Sequence, residues 1–309
     1  MSFKKKLDNV YVIDTHMFGY PEYMSAYLIE GKELAMVDTG LPNQWDSILK
    51  GIEEHGFSPK DISRILLTHC EHPDHSGNVA SILELSSKAK VYINPTGLQN
   101  LLDPSIQERA RKATLPEKMV KRFGTTKPVP RDRIELIADQ DVIDIGNEVR
   151  LKVFFTTAHQ PSGYIILDEK NEGLFINDLA GNYFQDCDYC LNLHPPDSDF
   201  FVEYEMLKRI AEWPLKRLYL SHFGIVENAK EHLTRTLKRM EEMIDIAKKC
   251  IAENRPDDIT RMIHQRNENE AKKLLRTRGE DLYQYAASEH IPPQAKSFTK
   301  QILKRFSGK

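Results

Sequence analysis

Along the first two thirds of the chain, apolar residues fall in short runs bounded by turn residues, the pattern of strands rather than long helices. Runs at 10–13, 25–29 and 34–37 read as successive strands, with Gly31-Lys32 as the turn between the last two. After Asp38-Thr39-Gly40, the spacing of Trp45, Ile48, Leu49 and Ile52 predicts a helix over 43–55. A short buried strand at 64–67 leads straight into His69. Val79, Ile82, Leu83 and Leu85 then fit one helix face, and a strand follows at 90–93. Residues 95–129 are more polar and predicted helical, with Pro and Gly at both ends. A second strand-rich series follows at 133–137, 149–156, 163–167 and 173–176. A helix at 200–213 and a last strand at 217–220 complete it. Two such halves predict two sheets packed face to face with helices outside.

The pattern changes near Glu227. Leu233, Leu237, Met240, Met243, Ile244 and Ala247 recur at helical spacing with charges between them, and no clear strand follows. The expectation is a strand-and-helix domain over residues 1–227. A helical C-terminal subdomain of two to four helices over 228–309 would be broken at Pro256 and at Pro292-Pro293. The 309 residues suffice for one large domain with such an appendage.

Composition narrows the setting. With 40% hydrophobic and 29% charged residues the chain reads as globular. The net charge of −3 argues against a broad nucleic-acid surface. No apolar run approaches the roughly 20 residues that cross a bilayer, so no membrane partner is expected. The opening MSFKKKLDNVYVID lacks the apolar core of a secretory signal. Four cysteines (Cys70, Cys187, Cys190 and Cys250) are too few for a disulfide framework, which points to a reducing, cytoplasmic location.

The densest chemistry follows the 64–67 strand, in Thr68-His69-Cys70-Glu71-His72-Pro73-Asp74-His75-Ser76-Gly77. Imidazole and carboxylate suit zinc and iron alike, and a loop at a strand end lets close neighbours converge on one point. Asp74 is also placed to cap the next helix. His159, Asp178 and His222 each follow a predicted strand too. Alone, each is an ordinary turn residue; together they predict donors gathered at one sheet edge.

These residues resemble the metallo-β-lactamase-like superfamily, whose pattern is Thr-His-x-His-x-Asp-His-x-Gly followed by a His, an Asp and a His, each after a strand. The resemblance covers about residues 8–226 and includes Val37-Asp38-Thr39-Gly40, which in the family lies beneath the metal loop. It implies an α+β fold, a four-layer αββα sandwich with a C-terminal helical extension. It also implies two divalent metal ions, zinc first and iron as the alternative. His72 and His159 would hold the first metal, Asp74, His75 and His222 the second, with Asp178 bridging. One departure stands out: the first motif carries an extra residue, so that counting back from Asp74 the family's first histidine position holds Cys70. His69 is favoured as the ligand, with Cys70 and Glu71 as alternatives. The flavodiiron branch, with His-x-Glu-x-Asp-His-Ser-Gly, matches the two ends of the same stretch.

The expected function is a binuclear hydrolase acting on a small ester, thioester or lactone through a metal-bound hydroxide, with Asp74 and Asp178 orienting that hydroxide and relaying its proton. No Gly-x-Ser-x-Gly suggests a serine nucleophile. Lys238, Arg239, Lys248 and Lys249 are candidates to meet an anionic substrate such as an acyl-coenzyme A, the plainer alternative being a solvated helix face. Tyr23, Tyr183 and Phe223 are candidate pocket walls, and His194-Pro195-Pro196 a rim. Cys187-x-x-Cys190 is read as an ordinary loop, or as a redox pair if it reaches the cleft. The partner expected is a small molecule, with room for a homodimer through the C-terminal helices. The competing functions are a non-heme di-iron oxidoreductase acting on oxygen or nitric oxide, and a non-catalytic metal-binding regulator on the same scaffold.

Overall fold

The computed structural model describes residues 5–114, 117–191 and 198–306. By their internal contacts they form two units, one within residues 2–177 and 215–227, the other within 178–214 and 228–309. The sequence reading drew a single boundary at 227/228; the contacts also group 178–214 with the C-terminal helices.

In the first unit, one sheet carries β1 (Lys6–Leu7), β2 (Val10–Asp14), β3 (Ser25–Glu30), β4 (Leu34–Val37), β5 (Ile62–Leu66), β6 (Lys90–Ile93) and β7 (Ile134–Leu136), in that spatial order. The chain continues as β8 (Val142–Asp144), β9 (Arg150–Phe155), β10 (Tyr164–Asp168) and β11 (Gly173–Phe175). After the hairpin β12 (Asn182–Phe184) and β13 (Tyr189–Leu191) of the second unit, it adds β14 (Arg217–Leu220) and β15 (Gly224–Val226) to the second sheet. That sheet has the order β15-β14-β11-β10-β9-β8. The first unit's helices are α1 (Trp45–Glu54), α2 (Pro73–Ser76), α3 (Val79–Leu85), α4 (Leu98–Leu102), α5 (Ser105–Thr114) and α6 (Glu117–Phe123).

The period-2 alternation of the strands builds the layers. Val10, Val12, Tyr27, Ile29, Ala35 and Val37 turn inward and pack with Leu151, Val153, Tyr164, Ile166, Phe175 and Tyr219 of the other sheet. Their neighbours Tyr11, Ile13, Leu28 and Met36 face the opposite way and bury Ile48 and Ile52 of α1 with Val79 and Ile82 of α3. Each such aliphatic side chain contributes roughly 1.5–3 kcal/mol by leaving water. The Tyr27 hydroxyl ties the sheets, lying 2.5 Å from the Leu220 carbonyl oxygen and 2.9 Å from that of Gly224.

Strand direction decides where the loops go. β4 and β5 are parallel, with Val37 opposite Leu66, so Asp38 and Thr68 leave the sheet side by side. β9 is antiparallel to β10, β10 to β11, and β11 is parallel to β14. The loops carrying His159, Asp178 and His222 therefore all emerge at the same edge of the second sheet.

The second unit holds the β12–β13 hairpin, α7 (Phe200–Ile210), α8 (Ala229–Ala252), α9 (Ile259–Ala271), α10 (Lys273–Thr277), α11 (Glu280–Gln284) and α12 (Ile291–Phe306). A short 3-10 turn, Pro256–Asp258, separates α8 from α9 as expected. Pro292-Pro293 breaks nothing. Both prolines sit at the start of α12, directly after a π-helical turn at Tyr285–His290, and the helical path runs on through them. Beyond residue 228 the described chain holds five α-helices rather than two to four. The short strands β1, β8, β12, β13 and β15 were not anticipated; each is too brief to show a period. No helix is long and apolar enough to cross a membrane.

Candidate metal centre

The centre is built from Asp38 upward. Asp38 ends β4 in the left-handed region, φ 56°, a conformation aspartate tolerates better than most residues. Its carboxylate accepts from the Thr68 amide at 2.9 Å, the Thr68 hydroxyl at 2.8 Å and His75 Nδ1 at 2.9 Å. Thr39 donates from its amide and hydroxyl to the His75 carbonyl, at 2.8 and 3.0 Å. The Asn78 amide in turn donates to the carbonyls of Thr39 and Leu41. The run expected beneath the metal loop is thus its floor, and every group in it is buried.

These bonds orient the imidazoles. His75 Nδ1 faces a carboxylate, so it carries the proton and Nε2 presents a lone pair, 3.9 Å from Asp74 Oδ2. His222 Nδ1 faces the Tyr23 carbonyl at 3.2 Å, and its Nε2 lies 3.7 Å from the same Asp74 oxygen. His69 Nδ1 lies 3.1 Å from Asn177 Oδ1. The Asn177 amide nitrogen donates to the Thr68 carbonyl at 3.0 Å, which fixes its oxygen toward His69. His69 Nε2 therefore offers its lone pair, 3.0 Å from His72 Nδ1.

The donors fall into two groups, in each of which one donor atom per residue lies within 4.8 Å of all the others: His69, His72, His159 and Asp178, and Asp74, His75 and His222. Asp178 is the residue at which the chain passes from the first unit to the second. All but the half-buried His72 are buried. Nitrogen and carboxylate donors in sets of four and three, with the second nitrogens of His69, His75 and His222 facing fixed acceptors, suit divalent cations. All seven sequence-predicted ligands are brought together here.

Cys70 and Glu71 stand apart from both groups. Cys70 packs into the helix-side core with Ile65, Val91 and Ile93, and burial pushes its thiol well above its ordinary pKa. A side chain on Gly97 would come within 2.7 Å of its sulfur. Glu71 turns to Ser162, accepting from its amide at 3.0 Å and its hydroxyl at 2.5 Å. The extra residue of the motif thus lets one side chain point into the core and the next sideways, while His69 and His72 meet. Asp74 lies inside α2 rather than capping it, since His72 holds the N-cap position.

Sequence reasoning missed the supports Asn177, Ser162, Asn78 and Gln107, whose amide donates to the Cys70 carbonyl. Single polar residues carry no spacing signal. Among the expected walls, Tyr23 lies 5.9 Å from His222, ring to ring. Phe223 instead packs in the core between the sheets. Residues 194–196 lie outside the described part of the chain.

In the second unit, Tyr183 packs edge-on to His232 at 4.6 Å and its hydroxyl lies 3.2 Å from Asp188. Arg239 pairs with Asp188 at 3.5 Å, whereas Lys238, Lys248 and Lys249 are exposed on α8. Cys187 and Cys190 lie on the β12–β13 hairpin as unbridged thiols, and the Cys190 thiol donates to the Ala180 carbonyl at 3.4 Å.

Comparison with known proteins decides the family. The model of the metallo-beta-lactamase superfamily matches residues 19–238. The chain belongs to that superfamily. Solved structures share the fold: a superfamily member from Sulfolobus tokodaii (TM-score 0.62, 22% identity, 76% of this chain and 86% of that one) and a family protein from Thermus thermophilus (TM-score 0.63, 18% identity, 98% and 95%). Among curated proteins, Flavo-diiron protein FprA2 of Clostridium acetobutylicum is 29% identical over 169 residues, 53% of this chain and 36% of that protein. Diflavin flavoprotein A 1 of Synechocystis is 26% identical over 188 residues, 59% and 28%. The chain spans about a third of the length of these curated relatives. This superfamily protein is therefore an α+β sandwich with C-terminal helices and a His/Asp cluster suited to divalent metals.

Proposed function

We propose that this metallo-beta-lactamase superfamily protein is a binuclear metal-dependent hydrolase of a small ester, thioester or lactone. The observation that carries the reading is the pair of buried donor groups, His69/His72/His159/Asp178 and Asp74/His75/His222, converging beside one another. Divalent ions held there, zinc first, would lower the pKa of water from about 15.7 toward about 7 and polarise a carbonyl oxygen. Asp74 belongs to the second group and lies within 4 Å of both His75 and His222, placed to accept the proton of an attacking water. Asp178 would help hold a metal with His69, His72 and His159 and orient the attacking water. Asp38 keeps His75 in the tautomer that leaves Nε2 available. None of these roles calls for a side-chain nucleophile.

The test is zinc reconstitution of the chelated protein followed by an ester, thioester and lactone panel. Turnover that returns with two zinc ions per chain, and falls by orders of magnitude in Asp74→Ala, is the expected result. Turnover by the fully chelated protein, or none across the panel with both ions bound, would overturn it. One ion per chain without turnover would instead mark a metal-binding regulator.

A second reading is favoured by the flavo-diiron relatives: a di-iron oxidoreductase acting on oxygen or nitric oxide. Against it, Glu71 is turned to Ser162 and contributes to neither donor group. An iron-loaded protein with ferric absorption bands and oxygen consumption would favour this reading over the first.

A further inference from the structure

We infer that Glu71 and Ser162 form a strap between the metal loop and the loop of His159, and that this strap positions the histidines of the first donor group for a divalent cation. The two loops come from opposite sheets. The metal loop, 68–75, follows β5 of the first sheet, and 156–163 joins β9 to β10 of the second. A cation that takes ligands from both loops is held only as firmly as the loops are held to each other. The strap would serve any divalent-metal chemistry at this centre, and so goes beyond the hydrolase reading.

The extra residue of the motif creates the need for it. With the Cys70 side chain in the core, the peptide groups of that residue must be secured from outside the loop. Its amide donates to Ser162 Oγ at 2.9 Å and to Glu71 Oε2 at 3.2 Å, and its carbonyl accepts from the Gln107 amide. The Glu71 carboxylate reaches across to the second loop. One oxygen accepts from the Ser162 amide at 3.0 Å and the other from the Ser162 hydroxyl at 2.5 Å. Bonds to a carboxylate are the stronger kind. Because Glu71 lies between the donors His69 and His72, anchoring it restrains the backbone of both.

Ser162 passes the restraint to His159 through a closed turn. The Gly163 amide donates to the Gln160 carbonyl and the Thr156 amide to the Gly163 carbonyl, both at 2.9 Å, while the Ala158 amide donates to the Thr156 hydroxyl at 3.2 Å. A Cβ on Gly163 would lie 2.7 Å from the Thr156 carbonyl oxygen and 2.9 Å from that of Gln160, so the turn is tightly shut. Beside it, the side-chain amide of Gln160 lies 3.3 Å from His72 Nε2. The His159 ring then stands 5.1 Å from that of His69 and 5.3 Å from that of His72. Ser162 is buried, so water is poorly placed to replace a lost partner there.

Cobalt(II) titration of the chelated full chain tests this, read by visible absorption and by competition with a chromophoric chelator. In Glu71→Ala and in Ser162→Ala, one ion should bind roughly 10- to 100-fold more weakly with altered visible bands, while the other keeps its wild-type affinity. The double variant should lose less than the sum of the two, because both residues act through one contact. Ser86→Ala is the control for a merely structural loss. It removes a serine hydroxyl as buried as that of Ser162, bonded to the Ile62 carbonyl at 2.7 Å in the same unit, and should lower the melting temperature with wild-type bands. Should Glu71→Ala not fold, Ser162→Ala decides, since it keeps Glu71 and both backbone amides. Wild-type cobalt binding in the single variants, equal weakening of both ions, fully additive losses, altered bands in Ser86→Ala, or no cobalt bound by the wild type would each overturn the strap. Turnover is not read, so a chain that hydrolyses nothing sinks the hydrolase reading and leaves these outcomes unchanged.

Discussion

The Asp38 carboxylate lies 2.9 Å from Nδ1 of His75, and both side chains are buried. This contact joins the end of β4 to the metal loop after β5, and it settles which imidazole nitrogen remains for a metal. Asp38→Ala leaves the Thr68 amide, the Thr68 hydroxyl and His75 Nδ1 without their acceptor. Stranding a buried donor costs about 1–3 kcal/mol, so thermal unfolding should move clearly downward. Zinc affinity, measured by competition with a chromophoric chelator, should weaken roughly 10- to 100-fold. Unchanged affinity would show that His75 needs no such orientation.

Gly77 tests the same floor from the steric side. A Cβ there would lie 2.4 Å from Pro42 Cδ, 2.5 Å from the Pro73 carbonyl oxygen and 2.6 Å from that of Gly40. Two of the three are backbone atoms and cannot swing away. Gly77→Ala should therefore cost about 1–3 kcal/mol of stability by overpacking. Because Gly40 and Pro73 flank the metal loop, zinc affinity should drop too. A variant with wild-type melting would mean the loop relaxes freely.

Much of this was legible in the sequence, and the parts that were not share a cause. Strands such as β2, β3, β4 and β9 show in the chain because their alternate residues meet two different hydrophobic cores. The donors were legible because His and Asp recur directly after strands. Which of His69, Cys70 and Glu71 faces the metals was not. It depends on the core around Gly97 and on Ser162, residues far along the chain from the motif. The grouping of 178–214 with the C-terminal helices was equally hidden, because contacts between distant segments leave no periodic mark.

The thiols follow from burial. Cys70 and Cys187 both have pKa values raised chiefly by desolvation, Cys70 well above its ordinary value. A thiol held protonated reacts slowly. Iodoacetamide at pH 7 should therefore label the folded protein slowly at both positions, with hydrolysis and zinc content unaffected over that time. Rapid labelling of Cys70 with loss of zinc would place its sulfur at the metals and overturn the placement in the core.

His232 makes the second unit's stability depend on pH. Its ring is fully buried on α8 against Tyr183, and neither ring nitrogen has a hydrogen-bond partner among the described residues. Burial first, then the charges of Arg235 and Arg239, push its pKa from an ordinary 6.5 down to about 3, with Asp188 opposing. Between those values the unfolded chain binds a proton that the native chain does not. The contribution is therefore fully present above about pH 6.5 and is lost progressively as pH falls toward 3, at up to about 1.4 kcal/mol per pH unit for one proton. His232→Phe keeps an aromatic ring against Tyr183 and removes the titration. Urea midpoints measured from pH 4 to pH 7 should rise steeply for the wild type and less steeply for the variant. Parallel curves would mean that His232 takes up its proton without unfolding, and that a charge is tolerated beside Arg235 and Arg239.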